Sequence, residues 1–304
     1  MPELNRETLG TTTALITPFK EAKGHPPIDF DALSMLVEEQ MQAGNAILLA
    51  GTTGESPALS QREHGEISRF VLRQVQEQVP VIEGTGTNAT QESIDLTRQA
   101  ARNGVNGVLL VNPYYNKPTQ EGMRQHFGAI AESEPEMPMI LYNIRGRTVV
   151  NLETDTLLRI SDDHPNVIGV KEASGDLSQM VDVIRRTREG FLVLSGDDNM
   201  TYALMSHGGD GVISVLSNIA PEQTHAMVAA LQRGDYEEAR RLYNELLPLM
   251  KGCFMETNPI PVKTAQAMRG KCGEVFRLPM TQMSPPNRAR WQTTLHETGI
   301  LPAQ

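Results

Sequence analysis

The stretch VIGVKEASGDLSQMVDVIRRTREGFLVLSGD, residues 167–197, contains one complete β/α unit. It begins with a short apolar run, continues through a segment with the period of a helix, and ends in a second apolar run. Asp176, with Gln179 three residues later, is a start signal for the helix, and Gly190 is a stop signal. The two runs are apolar nearly end to end, which is typical of parallel strands covered by helices.

The same pattern recurs along the chain and gives eight candidate strands. Their ranges are 11–19, 46–51, 80–86, 107–113, 139–143, 167–174, 191–197 and 211–218. Eight β/α units in one chain predict an α/β fold of the TIM (β/α)8 barrel type. The main alternative is an open, doubly wound sheet, but the GxGxxG turn of dinucleotide-binding sheets does not follow the first strand.

The remaining segment, residues 235–304, contains no strand pattern. Helical patterns cover 235–250, 257–269 and 285–297, and Ser284 before Pro285 is a good start for the last of them. We therefore expect a TIM barrel catalytic domain over residues 1–234. The C-terminal helical region, residues 235–304, is expected to pack on the barrel as an appendage.

Length and composition fit one large globular domain, with 304 residues of which 39% are hydrophobic. The net charge of −10 argues against a nucleic-acid partner, which needs a basic face. No apolar run reaches the roughly 18 to 20 residues of a membrane span, and the N-terminus lacks the order of a signal peptide. We therefore expect no membrane association and a cytoplasmic location. Cys253 and Cys272 are far from a CxxC spacing and are expected to be structural thiols.

A lysine stands near the end of the sixth candidate strand, in VIGVKEAS. In barrel enzymes the catalytic residues lie at the C-terminal ends of the strands. Burial among apolar residues would lower the pKa of the Lys171 amine and free it to attack a carbonyl carbon. Lys171 is therefore the candidate nucleophile for a Schiff base, the alternative being a lysine that extends from the barrel rim into water.

Two further strand ends carry candidate site residues. Tyr142 lies at the corresponding level of the fifth strand, and adjacent strands are only about 4.8 Å apart, so its hydroxyl could reach the chemistry at Lys171. The alternative is a tyrosine buried for packing. The turn GTTGES, residues 51–56, follows the second strand and offers hydroxyl and amide donors for a carboxylate. Thr52 and Thr53 are candidate substrate contacts. The alternative is that the loop is rich in glycine and threonine for purely conformational reasons, as many loops are.

A metal site is not indicated. The seven histidines are scattered without an HxH or HExxH spacing, so a metal-dependent aldolase or hydrolase would have no evident ligand set. The segment GTGTN, residues 84–88, lacks the Gly-Lys-Ser/Thr ending of a phosphate loop and is interpreted as a tight strand-to-helix turn. We expect neither a metal nor an organic cofactor.

Eight motifs resemble the dihydrodipicolinate synthases, in the same order and over nearly the whole chain. They are GTTGES, GTGTNAT, NPYYNKP, LYNIRGRT, IGVKEASGD, LSGDD, GVISV and NPIPVK. The related N-acetylneuraminate lyases and keto-deoxy-sugar-acid aldolases share the barrel, the lysine, the tyrosine and the glycine-threonine turn. The resemblance implies a lyase that condenses pyruvate with L-aspartate 4-semialdehyde through a lysine Schiff base, in lysine and diaminopimelate biosynthesis. A sugar-acid aldolase and a non-catalytic barrel are the alternatives.

The resemblance also implies roles for individual residues. Arg147 would bind the carboxylate of the semialdehyde, a residue that the sugar-acid lyases usually lack, while Arg145 stands where the synthases commonly have proline. Thr52 would join Tyr142 in a proton relay. Its third member, Tyr115, would come from a neighbouring subunit, which implies at least a dimer and, by analogy, a homotetramer built as a dimer of dimers.

Two more sets of residues follow from the resemblance. Gly196 and Ile213 would line the pyruvate pocket. A second cluster, away from Lys171, resembles the positions at which lysine-sensitive synthases bind L-lysine as an inhibitor. Its members are Ser56, His64, Asn88, Glu92 and Tyr114. The alternative for this cluster is a polar surface at the starts of helices.

Overall fold

The structure is a computed structural model that describes residues 2–302. Within these residues, eight parallel strands close into a barrel in chain order, with β8 paired to β1. The strands are β1 Thr11–Ala14, β2 Ala46–Leu49, β3 Val81–Gly84, β4 Gly107–Val111, β5 Met139–Asn143, β6 Val167–Glu172, β7 Leu192–Ser195 and β8 Gly211–Ser214. The predicted TIM barrel is confirmed. Most predicted strands are longer than the observed ones, because turns such as GTTGES leave the barrel wall.

Helices follow each strand and form the outer layer. They are α1 Phe30–Gln42, α2 Gln61–Val75, α3 Thr90–Asn103, α4 Gln120–Ser133, α5 Arg145–Thr148, α6 Thr154–Asp163, α7 Leu177–Arg186, α8 Thr201–Ser206 and α9 Pro221–Gln232. The Ser60 side chain accepts from the Glu63 amide at the start of α2, and the Glu63 side chain accepts in return. Asp176 caps α7 in a similar way. Helix α7 thus begins where the sequence predicts, and α2 begins with a capping box.

One predicted helix end is displaced. Helix α7 ends at Arg186, before the stop predicted at Gly190. The next residue, Thr187, is extended. Arg188 then donates to the carbonyl oxygens of Ser161 and Val167, which ties the connection to the preceding β/α unit. These contacts end the helix early, and Gly190 takes its left-handed conformation in the turn before β7.

Two apolar layers explain why polar and apolar residues do not alternate along the strands. The side chains of one layer fill the barrel interior and include Leu48, Ile140 and Ile213. The other layer lies between the barrel wall and the helices. Each strand therefore buries both of its faces.

Three helices follow the barrel, α10 Tyr236–Gly252, α11 Ile260–Met268 and α12 Pro285–Glu297. Helix α10 packs on α9, and α12 packs on α10 and α11. The buried Trp291 donates its indole N–H to the carbonyl oxygen of Pro261 at 2.8 Å, which joins α12 to α11. Among residues 2–302, no helix combines the length and the apolar character needed to cross a membrane.

Candidate active site

A cavity of about 620 Å³ opens at the C-terminal ends of the strands, and Lys171 lies in its wall. Lys171 is 5% exposed and is paired across the sheet with Tyr142. Its ammonium nitrogen lies 4.3 Å from the centre of the Tyr142 ring. Burial lowers the pKa of Lys171 to about 8, although the carboxylates of Asp197 and Asp198 act in the opposite direction. Roughly a tenth of the amine is therefore neutral and nucleophilic at pH 7, far more than for an ordinary exposed lysine.

Tyr142 also lines the cavity, at the end of β5. Burial raises the pKa of its hydroxyl above the ordinary value for tyrosine, and the nearby Arg147 reduces this effect. The phenol therefore keeps its proton at neutral pH. Its ring lies against the Lys171 amine, and both residues belong to the wall of the same cavity.

The GTTGES turn forms another wall of the cavity through Thr52 and Thr53. Within residues 2–302, the backbone N–H groups of these two threonines make no hydrogen bond. The Thr53 hydroxyl accepts a hydrogen bond from the Asn258 side chain at 3.0 Å. Two unpartnered N–H groups and two hydroxyls therefore belong to the same cavity wall as Lys171, and such donors suit an anionic ligand.

The same turn is held from below by a buried charge pair. The Lys263 ammonium lies 2.6 Å from the Glu55 carboxylate, and both side chains are almost fully buried. Glu55, two residues after Thr53, adopts a left-handed backbone conformation with φ of 56°. Its second carboxylate oxygen accepts from the Arg277 amide at 3.3 Å. The C-terminal segment therefore fixes the position of the turn.

A glycine beside Lys171 leaves room for the lysine side chain. A Cβ atom on Gly196 would lie 3.1 Å from Cε of Lys171 and 2.6 Å from Cβ of Ala173. Ile213, which the resemblance places in the pyruvate pocket, lies in the barrel interior, and from the end of β8 it is Val215 that lines the cavity.

Two arginines follow β5, and they differ in position. Arg147 lines the cavity, and its guanidinium donates to the carbonyl oxygen of Asn258 at 3.3 Å. Arg145, at the position where proline is common in the synthases, is exposed and lies outside the cavity lining. A guanidinium at the cavity mouth suits a carboxylate ligand.

The sequence reasoning did not single out two further residues of the cavity wall, Asp197 and Asn258. Burial raises the pKa of the Asp197 carboxyl, while the charge of Lys171 acts in the opposite direction. Asp197 follows β7 in the motif LSGDD, so the rule that catalytic residues lie at strand ends could have identified it. Asn258 precedes a C-terminal helix, and no strand-end signal marks it.

The residues of the predicted regulatory cluster border the same cavity as Lys171, and their role in binding L-lysine stays a prediction. Four of its members line the cavity, namely Ser56, His64, Glu92 and Tyr114. The fifth, Asn88, lies beside it and accepts a hydrogen bond from Asn116 through its backbone carbonyl. The turn carrying Thr52 and Thr53 also carries Ser56, which explains why the two groups of residues share one space.

His64 is held by buried polar neighbours. Its Nδ1 lies 3.3 Å from the Glu83 carboxylate, and its Nε2 lies 3.4 Å from the Ser56 hydroxyl. Burial and the charge of Glu92 raise the pKa of the Tyr114 hydroxyl, which keeps it protonated as a donor.

Tyr115 does not join Tyr142 and Thr52 in this chain. It is 88% exposed, lies outside the cavity lining and has a φ of 73°, which is rare for a tyrosine. Of the three predicted relay residues, Tyr142 and Thr52 therefore line the same cavity of one chain, and Tyr115 does not. Within residues 2–302, no group of three or more His, Cys, Asp or Glu side chains is placed to hold a metal ion.

Comparison with known proteins gives consistent results. Residues 7–298 match the dihydrodipicolinate synthetase family. A 4-hydroxy-tetrahydrodipicolinate synthase from Endomicrobium trichonymphae is 47% identical over 293 residues, which cover 96% of this chain and 99% of the relative. The crystal structure of dihydrodipicolinate synthase from Aquifex aeolicus is similar, with a TM-score of 0.93, 41% identity, and 96% and 98% of the two chains covered. The lysine-bound enzyme from Cyanidioschyzon merolae has a TM-score of 0.93 and 37% identity, over 97% and 99% of the chains.

Proposed function

The chain belongs to the dihydrodipicolinate synthetase family, and we propose that it acts as a 4-hydroxy-tetrahydrodipicolinate synthase. The enzyme is a lyase that condenses pyruvate with L-aspartate 4-semialdehyde in lysine and diaminopimelate biosynthesis. One observation carries the proposal. A buried lysine with a lowered pKa lies against a tyrosine ring, in one cavity with the two threonines and an arginine.

The reaction begins when the Lys171 amine attacks the ketone carbon of pyruvate. The carboxylate of pyruvate is held by the free amides and the hydroxyls of Thr52 and Thr53. The carbinolamine loses water to give a protonated imine, which acts as an electron sink. A methyl proton then leaves, and the resulting enamine forms a carbon–carbon bond to the aldehyde carbon of the semialdehyde. Tyr142 transfers the protons in these steps.

The second substrate completes the cycle. Arg147 binds its carboxylate, which places the aldehyde carbon above the enamine. After bond formation, the amine of the semialdehyde attacks the imine carbon, displaces Lys171 and closes the ring. Gly196 provides room for the covalent intermediate next to Lys171, and Ile213 supports the end of β8 from the barrel interior.

Covalent trapping tests the first step. Borohydride added with pyruvate should reduce the imine and leave a permanent adduct on Lys171. Peptide mapping locates the label, and Lys263 is an internal control because it is fully buried in an ion pair with Glu55. A chain without label, or with the label on another lysine, contradicts the proposed chemistry.

Substitution of Arg147 tests the second substrate. Arg147→Ala should leave trapping with pyruvate intact and reduce condensation with the semialdehyde on the order of a hundredfold in kcat/KM, through loss of a charge-assisted contact. Arg145→Ala is the matched control, since it removes an exposed neighbouring arginine outside the cavity. Equal kinetics of the two variants toward the semialdehyde would favour a different electrophile, such as a sugar-derived aldehyde.

The exposed Tyr115 supports an active site shared between subunits. We assign it to the relay of a neighbouring subunit, in which its hydroxyl joins Tyr142 and Thr52, and we infer at least a dimer and by family analogy a homotetramer. The cytoplasmic location expected from the sequence stays a prediction.

We also propose that L-lysine inhibits the enzyme by binding to the cluster that includes Glu92, His64 and Tyr114. The Glu92 carboxylate and His64 accept from ammonium groups, while Tyr114 and Asn88 donate to a carboxylate. The lysine-bound relative supports the choice of ligand. Calorimetry with millimolar L-lysine, on the wild type and Glu92→Ala, should show binding that the substitution weakens. Binding that is absent, or unchanged by the substitution, excludes this site.

A further inference from the structure

Asn258 contacts both residues that are proposed to bind substrate carboxylates. It lies just before α11 and lines the cavity, although its side chain is 5% exposed. Its side-chain nitrogen donates to the Thr53 hydroxyl at 3.0 Å. Its backbone carbonyl accepts from the Arg147 guanidinium at 3.3 Å. One residue thus joins the turn after β2 to the short helix after β5.

The direction of the first hydrogen bond has a chemical consequence. A threonine hydroxyl has one proton to donate and can also accept. Because the Thr53 oxygen accepts from Asn258, its own proton is not used in that bond. Within residues 2–302 this is the one hydrogen bond that the hydroxyl makes. The proton is therefore available to an anion in the cavity, together with the backbone N–H groups of Thr52 and Thr53.

The position of Asn258 is itself fixed by the charge pair beneath the turn. Lys263, five residues further along, binds Glu55, which lies two residues after Thr53. The turn and the start of α11 are thus joined twice, by an ion pair and by the amide–hydroxyl hydrogen bond. The ion pair holds the backbone that carries Asn258, and the side-chain nitrogen makes its one hydrogen bond to Thr53 while Oδ1 has no partner among the described residues. An amide on a fixed backbone can set the orientation of a hydroxyl before the ligand arrives, which lowers the entropic cost of binding.

We propose that Asn258 is a positioning residue that turns the Thr53 hydroxyl into a donor for the carboxylate of pyruvate and holds Arg147 for the carboxylate of the second substrate. The inference rests on the proposed function, since it assumes that the carboxylate of pyruvate binds at Thr52 and Thr53. The opposite orientation of the amide would take up the Thr53 proton, so the two orientations predict different outcomes.

Asn258→Asp tests the direction of the hydrogen bond. A carboxylate at this position can only accept, so the Thr53 hydroxyl would donate to Asp and not to pyruvate. The pyruvate concentration that half-saturates borohydride trapping should rise roughly ten- to hundredfold, as for the loss of a hydrogen bond to a charged group. The maximal trapping should stay unchanged, because Lys171 is intact. If Asn258→Asp is half-saturated at the same pyruvate concentration as the wild type, the proposal is overturned.

A second background separates hydrogen bonding from charge repulsion. In Thr53→Val, which has no hydroxyl, Asn258→Asp should change the half-saturating pyruvate concentration by less than about threefold. An equal increase in both backgrounds would assign the effect to charge alone and overturn the proposal. If the Asp chain does not fold, as judged by circular dichroism, Asn258→Ala replaces it. The proposal is then contradicted if Asn258→Ala leaves the half-saturating pyruvate concentration unchanged in the chain with Thr53. It is also contradicted if Asn258→Ala raises that concentration equally in the chain with Thr53 and in Thr53→Val.

Trapping with the wild type separates a failure of the proposed function from a failure of the proposed role of Asn258. If the wild type forms no adduct with pyruvate, the proposed function fails. If it forms the adduct and the variants behave contrary to expectation, the role of Asn258 fails alone. Semialdehyde kinetics of Asn258→Ala give the second readout, because the backbone carbonyl that accepts from Arg147 remains in this variant. The KM for the semialdehyde should therefore stay within about threefold of the wild type while the half-saturating pyruvate concentration rises, and a loss that is equal for both substrates would contradict the specific role at Thr53.

Discussion

At the scale of single residues, burial decides the chemistry of the cavity. Lys171 and Tyr142 lie side by side, and desolvation disfavours the charged form of each. The lysine therefore loses its proton more easily, whereas the tyrosine keeps its proton more firmly. In the proposed mechanism, the pair supplies a nucleophile and a proton donor at the same pH.

The dependence of imine formation on pH follows from these shifts. Attack on pyruvate requires the neutral amine, and the fraction of neutral Lys171 rises as the pH increases through about 8. The single-turnover rate of trapping by borohydride should therefore rise with pH and level off above about 8, while Tyr142 stays protonated. Quenched-flow measurements on either side of pH 8 give this profile. A rate that falls over the range would show that the protonated amine is the reactive form, contrary to the proposed mechanism.

At the scale of elements, local signals were predictable and contacts distant in sequence were not. Strands β5 and β6 could be predicted from their apolar runs, and their register places Tyr142 beside Lys171 as expected. The C-terminal region, in contrast, was predicted as an appendage. Asn258 and Lys263 contact the turn after β2 across 205 and 208 residues of sequence. No local pattern carries such a pairing, because it depends on how α11 packs against the barrel.

The buried ion pair between α11 and the GTTGES turn should contribute strongly to stability. Lys263→Met keeps most of the apolar stem but leaves the Glu55 carboxylate buried without its cation. The free energy of unfolding should fall by about 3–5 kcal/mol, the usual cost of breaking a buried pair by removing one partner. Urea denaturation measures the change.

The control is the double variant Glu55→Gln with Lys263→Met. It removes both charges and should recover most of the lost stability. If the single and double variants are equally destabilised, packing around the Lys263 stem matters more than the charge. In that case the ion pair does not hold the turn.

At the scale of the whole molecule, one chain forms a closed barrel whose cavity is lined by Tyr142 and Thr52 but not by Tyr115. The strands, the interior layer and the cavity are all built within the chain, and the division into segments 1–234 and 235–304 stays a prediction. Tyr115 differs from the other proposed site residues, because it lies outside the cavity lining of its own chain. It carries an uncommon backbone conformation and a highly exposed ring, although it follows a strand end like the other site residues. Backbone strain of this kind persists where something else fixes it, and it is common at functional sites. Sequence reasoning could name the residue but could not count the subunits.

Subunit mixing tests whether Tyr115 acts across an interface. Tyr115→Phe and Lys171→Ala are each expected to be nearly inactive, since one lacks the relay hydroxyl and the other lacks the nucleophile. When the two chains are unfolded and refolded together, a mixed dimer contains one cavity with its own Lys171 and a Tyr115 from the partner. Part of the activity should therefore return. Mixing Lys171→Ala with Tyr142→Phe is the matched control, because both residues line the cavity of their own chain and no mixed cavity is complete. Activity that returns in neither mixture, with mixed oligomers verified by native mass spectrometry, would place Tyr115 in the relay of its own chain or outside the relay altogether.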